Sequence, residues 1–415
     1  MVGCGVMVDW IEEELMSDDR VTVLVPTFNR SDLLIEAIES LLNQDKRPDE
    51  IIVINDGSTD DTLRQLEKYA DSIRILSQKN QGKSTALNLG LAHASHGLIW
   101  IFDDDDLADP AALGTLHGLL RANKRVDIAY GRHKRFYRTP DGKVINSGTG
   151  YWTDCGPEMF FVSTLEDMFA HQAGMLVRKS LFDRVGIFNT SLVRSQDYEM
   201  SLRLAKVGTV VSTNAVIFYQ RIHDGVRGTK KRQFSHGEST SSWREYDKVI
   251  FERLYRELPL SAYLERNSGL SGISAGRQAL LRRAGVMARK QLWGFALSDL
   301  DAATKGSQAD LTSIEIQILR NMFASKYGCS ELLEDDDLVA AICRHVGAGP
   351  QYGRFGIEVA TGLRWRVRRE LLDRHFKSAF GYFSAMVRIY YAANGARMSK
   401  WPPRKKVAGS MLKKG

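Results

Sequence analysis

Residues 98–106 read LIWIFDDDD, and this stretch decides the fold. Its first five residues are an unbroken apolar run, the mark of a strand buried on both faces. The run ends directly on Asp103, Asp104, Asp105 and Asp106. Four adjacent carboxylates repel one another, so a structure that gathers them needs a cation. Ligands made only of oxygen suit Mg²⁺ or Mn²⁺, ions that keep part of their water shell and bridge substrate phosphates. The plainer reading is a solvated acidic turn leading into a helix near Pro110. A strand that aims the cluster at one edge of a sheet favours the metal-binding reading.

Outward from this strand the same alternation repeats. VTVLV (21–25), IIVI (51–54) and residues 73–76 are further short apolar strands. Between them Leu34, Ile35, Ile38, Leu41 and Leu42 share one helical face, with Ser31 as the expected N-cap. Ser58 or Thr59 is placed to cap the helix holding Leu63 and Leu66, and residues 85–94 form a third helix. Strand and helix in turn make a mixed, mostly parallel α/β sheet with helices on both faces. Ligands of such sheets bind beyond the carboxyl ends of the strands. That rule selects PTFNR (26–30), NDGSTDD (55–61), NQGKS (80–84) and the four aspartates.

Beyond Pro110 the pattern loosens. RTPDGK (138–143) marks a hairpin, and SQDYEMSLRLAKVG (195–208) a short helix closed by Gly208. From about residue 240 onward the chain reads as mostly helix, with Gly/Ser breaks near 268–276. The expected organisation is a lead-in at 1–20, an α/β domain at 21–235, a helical region at 236–360 and a basic amphipathic helix with its tail at 361–415.

The 415 residues are 43% hydrophobic and 26% charged, an ordinary globular composition that excludes a collagen, a disordered chain and a disulfide-stapled miniprotein. No apolar stretch approaches the ~20 residues of a membrane-spanning helix. The acidic N-terminus lacks the basic lead of a secretory signal. Cys4, Cys155, Cys329 and Cys343 lie far apart with no CxxC pair, which points to a reducing, cytoplasmic setting and no zinc site. Residues 361–415 carry 14 Lys+Arg against 2 Asp+Glu, a balance of +12, so residues 1–360 hold −5 of the chain's net +7. An acidic body argues against a nucleic-acid-binding core; the basic tail suits phosphates, anionic lipid or an acidic partner.

Two motif readings fail on spacing. Asp56, Ser58, Asp60 and Glu67 fall on EF-hand positions, but the glycine position holds Asp61 and a strand precedes the loop. Gly82-Lys83-Ser84-Thr85 ends like a phosphate loop, yet the required upstream glycine is Ser77. A lysine at a helix N-terminus still suits a phosphate.

The blocks VPTFNR, IIVINDGSTDDT, NQGKSTALNLGL and LIWIFDDDD, followed by VGIFN (185–189) and SQDYEMSLRL, together resemble the family-2 inverting glycosyltransferases of the GT-A fold, over residues 20–228. The resemblance implies residue roles. Pro26, Thr27, Asn29, Asp56 and Lys83 would line the donor nucleotide. Asp103 and Asp105 match the family's DxD pair, which would engage the ribose and, through Asp105, the Mn²⁺ or Mg²⁺ on the diphosphate; Asp104 would join the donor-binding residues. Asp197 would be the catalytic base. His223 would reach the metal, and His171, Gln172, Gln196 and Arg227 would meet acceptor or diphosphate. Departures from the family pattern are Asn55, Leu87 and Gln196, where Asp, Arg and Glu are frequent. The implied activity is transfer of a sugar from a nucleotide-sugar, a UDP-sugar by family frequency, to a hydroxyl of a glycan or lipid-linked acceptor in polysaccharide biosynthesis. A non-catalytic nucleotide-sugar-binding assembly subunit and a sugar nucleotidyltransferase are the alternatives; the latter wants a glycine- and basic-rich triphosphate loop, which PTFNRS is not.

Val367, Leu371, Leu372, Phe376, Phe380, Phe383, Val387 and Tyr391 step by helical intervals, with arginines on the other faces. This stripe reads either as a helix packed on the body or as a peripheral anchor on an anionic membrane surface.

Overall fold

The computed structural model describes residues 18–139, 141–222, 227–229, 232–234, 239–305 and 309–395. The chain divides into two compact units, Met1–Ile250 and Phe251–Gly415.

The first unit opens with β1 (Val21–Thr27), α1 (Ser31–Leu42), β2 (Glu50–Asn55), α2 (Thr62–Leu66), β3 (Arg74–Ser77), α3 (Lys83–His93) and β4 (Leu98–Ile101). It continues with β5 (Leu107–Ala108), α4 (Ala112–Ala122), β6 (Ile128–Arg138), β7 (Val144–Thr149), α5 (Phe160–Glu166), β8 (Met175–Arg178), α6 (Lys179–Val185), α7 (Gln196–Val207) and β9 (Val210–Arg221). The strands form one sheet in the order β3-β2-β1-β4-β8-β6-β9-β5, with β7 paired to β6 as the expected hairpin. The first four are parallel. β8 then runs antiparallel to β4, with Trp100 opposite Leu176. A parallel half is thus joined to a mixed half, and the carboxyl ends of β1, β2 and β4 open on one edge.

Burial on both faces explains the unbroken apolar strands. Val21, Val23, Val25 and Trp100 face one core with Leu34, Ile38 and Leu116. Leu24, Ile52, Ile54 and Ile99 face the other with Leu87 and Leu204. Alternate residues of the same strand serve opposite cores.

The helix caps differ from expectation. Ser31 is the first helical residue, and its N–H donates to Asp60 Oδ2 at 3.2 Å, a carboxylate from the next loop. Ser58 and Thr59 leave α2 and instead hold Asn29: Asn29 N–H donates to Ser58 Oγ (3.0 Å), and Thr59 N–H to Asn29 Oδ1 (2.7 Å). Asp60 Oδ1 caps α2 by accepting from Thr62 N–H. Sequence proximity suggested local caps; the parallel strands bring the two loops side by side, and capping crosses between them.

A small ribbon, β10 (Arg227–Thr229) with β11 (Arg232–Phe234), precedes α8 (Ser239–Glu257). The second unit is helical: α9 (Gly272–Arg289), α10 (Trp293–Lys305), α11 (Ser313–Arg320), α12 (Glu331–Glu334), α13 (Asp336–Val346), α14 (Pro350–Gly362), α15 (Arg364–Leu372) and α16 (Phe376–Ala393). Glu315 is its polar keystone. It closes a capping box with Thr312 and takes two bonds of 2.7 Å from the buried Arg277. The C-terminal stripe is carried by two helices, broken at Arg374 in the left-handed region (φ 61°). Its residues face outward: Leu372, Phe376 and Phe380 are 72%, 66% and 65% exposed, while Ala379, Tyr382, Ala385 and Ile389 face the unit. The helix thus packs on its own unit through a face other than the stripe, and the stripe itself is left outward.

Candidate active site

The selected loops converge at the carboxyl edge of the parallel strands. β1 delivers Pro26 and Thr27, buried and in register with Ile54 and Asn55 of β2. The chain then turns through Asn29 in the left-handed region (φ 52°), a conformation that asparagine tolerates, and presents Arg30.

Asp56 is almost fully buried and its carboxylate is filled by donors. Oδ1 accepts from Gln78 Nε2 (2.7 Å) and Gln81 N–H (2.8 Å); Oδ2 accepts from Asn80 Nδ2 (3.1 Å) and Gly82 N–H (2.8 Å). These four bonds use about all the lone-pair capacity of a carboxylate. Asp56 therefore fixes the 78–82 loop, and with it the start of α3. Gly57 makes room for that loop: at φ 75° a Cβ there would meet Asn80 N at 2.8 Å.

Lys83 begins α3 and its ammonium donates to Asp103. Burial opposes the charge, but Asp103, Asp197 and Asp105 outweigh it and push the Lys83 pKa up. Lys83 is therefore the cation that joins the acidic run to Asp197. Asp197 lies in the first turn of α7, half-buried, where it accepts from Tyr198 N–H at 2.8 Å. The start of this helix is anchored from several sides. Ser195, left-handed at φ 55°, donates to Asp247 at 2.8 Å, and Tyr198 OH donates to Thr164 O at 2.7 Å. Arg203 ties α7 to the carbonyls of Val185, Gly186 and Ile187. Asn88 of α3 both donates to and accepts from the Phe188 backbone. The helix bearing Lys83 and the segment leading to Asp197 are thus physically coupled.

The four aspartates are distinct. Asp103 is partly exposed; Asp104, Asp105 and Asp106 are buried. Arg30 Nη1 donates to Asp104 Oδ1 (2.9 Å) and Asp105 Oδ2 (2.8 Å). Asp104 chiefly, with Asp105, holds the Arg30 pKa up against its burial. Burial pushes the Asp104 carboxyl above its ordinary value, opposed by Arg30 and reinforced by Asp105. Asp106 accepts from Arg221 N–H (2.9 Å), and Arg221 Nε donates to the Asp105 carbonyl (2.8 Å). Arg221 also reaches Glu36 (2.9 Å), which Arg138 shares (2.6 Å). Asp103, Asp105 and Asp106 each bring one ligand oxygen within 4.8 Å of the others, a set of hard donors that fits a divalent cation such as Mg²⁺ or Mn²⁺.

β8 returns beside β4, which places His171 and Gln172 at the same end of the sheet. Trp100 Nε1 donates to Ala173 O at 2.8 Å and pins this return. The His171 ring meets His133 edge-on at 4.7 Å. Gln172 is 8% exposed, and neither of its amide atoms has a hydrogen-bond partner among the described residues. It borders a cavity of about 10 Å³ lined by Ile99, Ile101 and Leu204. Gln196, beside Asp197, has its Oε1 buried and unpartnered among the described residues. His223 lies outside the described residues, and Arg227 is placed only as the first residue of β10.

Arg30 and Arg221 are the site residues that sequence reasoning missed. Charge counting carried the signal: four clustered carboxylates need more than Lys83, and Arg30 follows β1 while Arg221 ends β9.

Residues 22–186 match the model for glycosyl transferase family 2. The matched stretch lies wholly within the first unit and takes in the loops that carry Thr27, Asp56, Lys83 and the four aspartates. Curated relatives include the chondroitin synthase of Escherichia coli, 29% identical over 214 residues (51% of this chain, 30% of the relative), and the hyaluronan synthase of Pasteurella multocida, 28% identical over 214 residues (51% and 21%). The chain spans less than a third of the length of these two relatives. Among solved structures, S. aureus TarS 1–349 in complex with UDP-GlcNAc is 15% identical, covers 91% of this chain and 92% of that one, and superposes with a TM-score of 0.47.

Proposed function

We propose that this chain transfers a sugar from a nucleoside-diphosphate sugar, a UDP-sugar by preference, to a hydroxyl of a glycan acceptor, with inversion at the anomeric carbon. The observation that carries the proposal is the convergence, at one strand edge, of the Asp103–Asp105–Asp106 oxygens with a lysine that feels both Asp103 and Asp197. The family-2 match over this region supports the reaction class, and the synthase relatives support a glycan acceptor.

In this reading Asp103, Asp105 and Asp106 hold Mn²⁺ or Mg²⁺. A bound divalent cation would supply charge stabilisation to the departing diphosphate. Asp197 accepts the acceptor hydroxyl proton as the acceptor oxygen bonds to the anomeric carbon. The bond from that carbon to the diphosphate oxygen breaks in the same displacement, and its electron pair leaves on the nucleoside diphosphate. Lys83 offsets negative charge on the donor side. Thr27, Asn29 and the Asp56-clamped loop form the nucleotide wall, with Asp56 fixing the loop rather than offering a vacant acceptor. Asp104 buttresses the acidic run through Arg30. His171, Gln172, Gln196 and Arg227 would serve the acceptor or the diphosphate, and His223 the metal.

Thermal stability against a panel of nucleoside diphosphates and their sugars, with Mn²⁺, with Mg²⁺ and with EDTA, tests the donor site. A ligand at a hundredfold excess over its dissociation constant adds about 2.7 kcal/mol. The expected result is stabilisation by one nucleotide class only with metal, lost in Asp105→Ala, together with donor turnover. Nucleotide binding without turnover of any sugar in the presence of glycan acceptors overturns the catalytic reading.

A further inference from the structure

The apolar stripe of α15 and α16 is left uncovered by the unit that carries it. Phe376, Phe380 and Phe383 follow one another at i, i+4 and i+7 and are 66%, 65% and 47% exposed; Leu371 and Leu372 at the end of α15 are 49% and 72% exposed. Leu371, Leu372 and Phe383 line a groove of about 470 Å³ together with Val367 and Met386, and its rim carries Arg364 and Arg368. Scattered apolar residues are normal on a surface, but a contiguous outward-facing stripe marks an interaction site.

Charge selects the occupant. The basic groups of the interior side are consumed: Arg366 is buried and Arg388 pairs with Asp336. Arg369 lies 3.7 Å from Asp373. Arg364, Arg368, Arg374 and Lys377 have no acidic partner among the described residues and flank the exposed stripe. A second copy docked on the same face would set these cations against their own images. Residues 396–415 hold seven Lys+Arg and no acid, so they offer no carboxylate to complement this rim. An anionic surface with an apolar interior satisfies both halves of the face. Exposed Phe and Leu enter the acyl boundary while Arg and Lys stay at the headgroups.

We infer that the α15–α16 face seats this protein on an anionic lipid bilayer, in the interface plane, through Leu371, Leu372, Phe376, Phe380 and Phe383. No helix among the described residues is long and apolar enough to cross a membrane, so this is attachment to one leaflet. The inference is independent of the transfer reaction.

The test uses the full chain and vesicles, with no donor present. Flotation is compared between vesicles of equal parts phosphatidylglycerol and phosphatidylcholine and vesicles of phosphatidylcholine alone. The expected result is binding to the anionic vesicles that weakens with added salt. The Phe376→Ser/Phe380→Ser variant loses at least about tenfold in binding while melting at the wild-type temperature, because about two thirds of each of these residues is already exposed to solvent. A Phe380→Trp variant reads insertion separately: its emission shifts to the blue only with anionic vesicles. Equal flotation on neutral vesicles overturns the inference. So does wild-type binding by the double serine variant, which assigns attachment to the basic tail. So does a wild-type dimer that the double variant breaks, without flotation, which assigns the face to self-association.

Discussion

Arg30 Nη1 lies 2.8 Å from Asp105 Oδ2, so the acidic run carries a resident cation on a carboxylate of the candidate metal set. The same nitrogen serves Asp104. Arg30 thereby lets two buried carboxylates, Asp104 and Asp105, coexist, and a divalent ion entering the run must share Asp105 with it.

Replacing Arg30 by Met should cost about 2 kcal/mol at neutral pH, below the ~3–5 kcal/mol of a fully buried pair because part of Arg30 remains exposed. The loss shrinks in acid. Folded Asp104 holds its proton more tightly than an unfolded aspartate at 3.8, so falling pH favours the folded state at this site. Manganese should recover part of the loss at neutral pH by neutralising the same carboxylates. Urea denaturation at two pH values, with and without Mn²⁺, measures all three effects; a loss that grows in acid contradicts the assignment.

Lys83 and Asp197 should separate binding from chemistry. Asp197→Asn keeps the shape and the Tyr198 contact but removes the proton acceptor, so turnover should fall at least about 10³-fold while nucleotide-induced stabilisation persists. Lys83→Met removes the cation facing Asp103 and Asp197 and should lower both kcat and nucleotide affinity, by about tenfold or more each. Steady-state kinetics beside thermal shift distinguishes the two; loss of nucleotide binding in Asp197→Asn would remove the residue from the base role.

The parallel half of the sheet was legible because β1, β2 and β4 are buried on both faces, leaving apolar runs with no competing reading. The strand-end rule then located PTFNR, the Asp56 turn, Lys83 and the four aspartates without side-chain information. What was hidden depends on pairings far apart in sequence. Asp60 caps a helix that begins at Ser31, and Arg221 reaches residues 105 and 106. Asp56 spends its carboxylate on the 78–82 loop, which no local pattern announces. The stripe at 367–391 was visible, but periodicity locates a face and does not say whether solvent or protein covers it.

Asp56 makes a second kind of prediction. Asp56→Ala leaves the Gln81 and Gly82 N–H groups and the Gln78 amide without their acceptor, while Asn80 keeps the Asp56 carbonyl, which should destabilise the protein by about 2–4 kcal/mol. Asp56→Asn keeps one good acceptor and loses less. In both variants the Lys83 end of α3 loosens, so the KM for donor should rise before kcat falls. A fall in kcat at unchanged KM would place Asp56 outside the donor wall.

Glu36 sets an acid limb of opposite sign to Asp104. Burial raises its pKa, but Arg221 and Arg138 outweigh this and hold the carboxyl below its ordinary 4.5. Its stabilising contribution is complete above 4.5 and is lost as pH falls through the depressed folded value. Glu36→Gln should therefore cost about 1–2 kcal/mol at pH 7 and almost nothing in strong acid. Wild-type and variant stabilities should converge on acidification; parallel curves would show that Glu36 is not charge-coupled to the buried Arg221.

Gln172 offers the sharpest contrast between stability and use. A buried amide with no partner costs about 1–3 kcal/mol relative to a satisfied one, and its neighbours in the small cavity are Ile99, Ile101, Met175, Val177, Phe182 and Leu204. Gln172→Leu removes the unpaired atoms and matches the lining, so it should stabilise the protein by about 1 kcal/mol. A role facing the acceptor adds a second consequence. The same variant should then raise the acceptor KM while the donor KM stays constant, because only acceptor contact is lost. Higher stability with unchanged acceptor kinetics would make Gln172 a tolerated packing defect. Lower stability would mean that the amide has partners in solution, such as water entering the cavity.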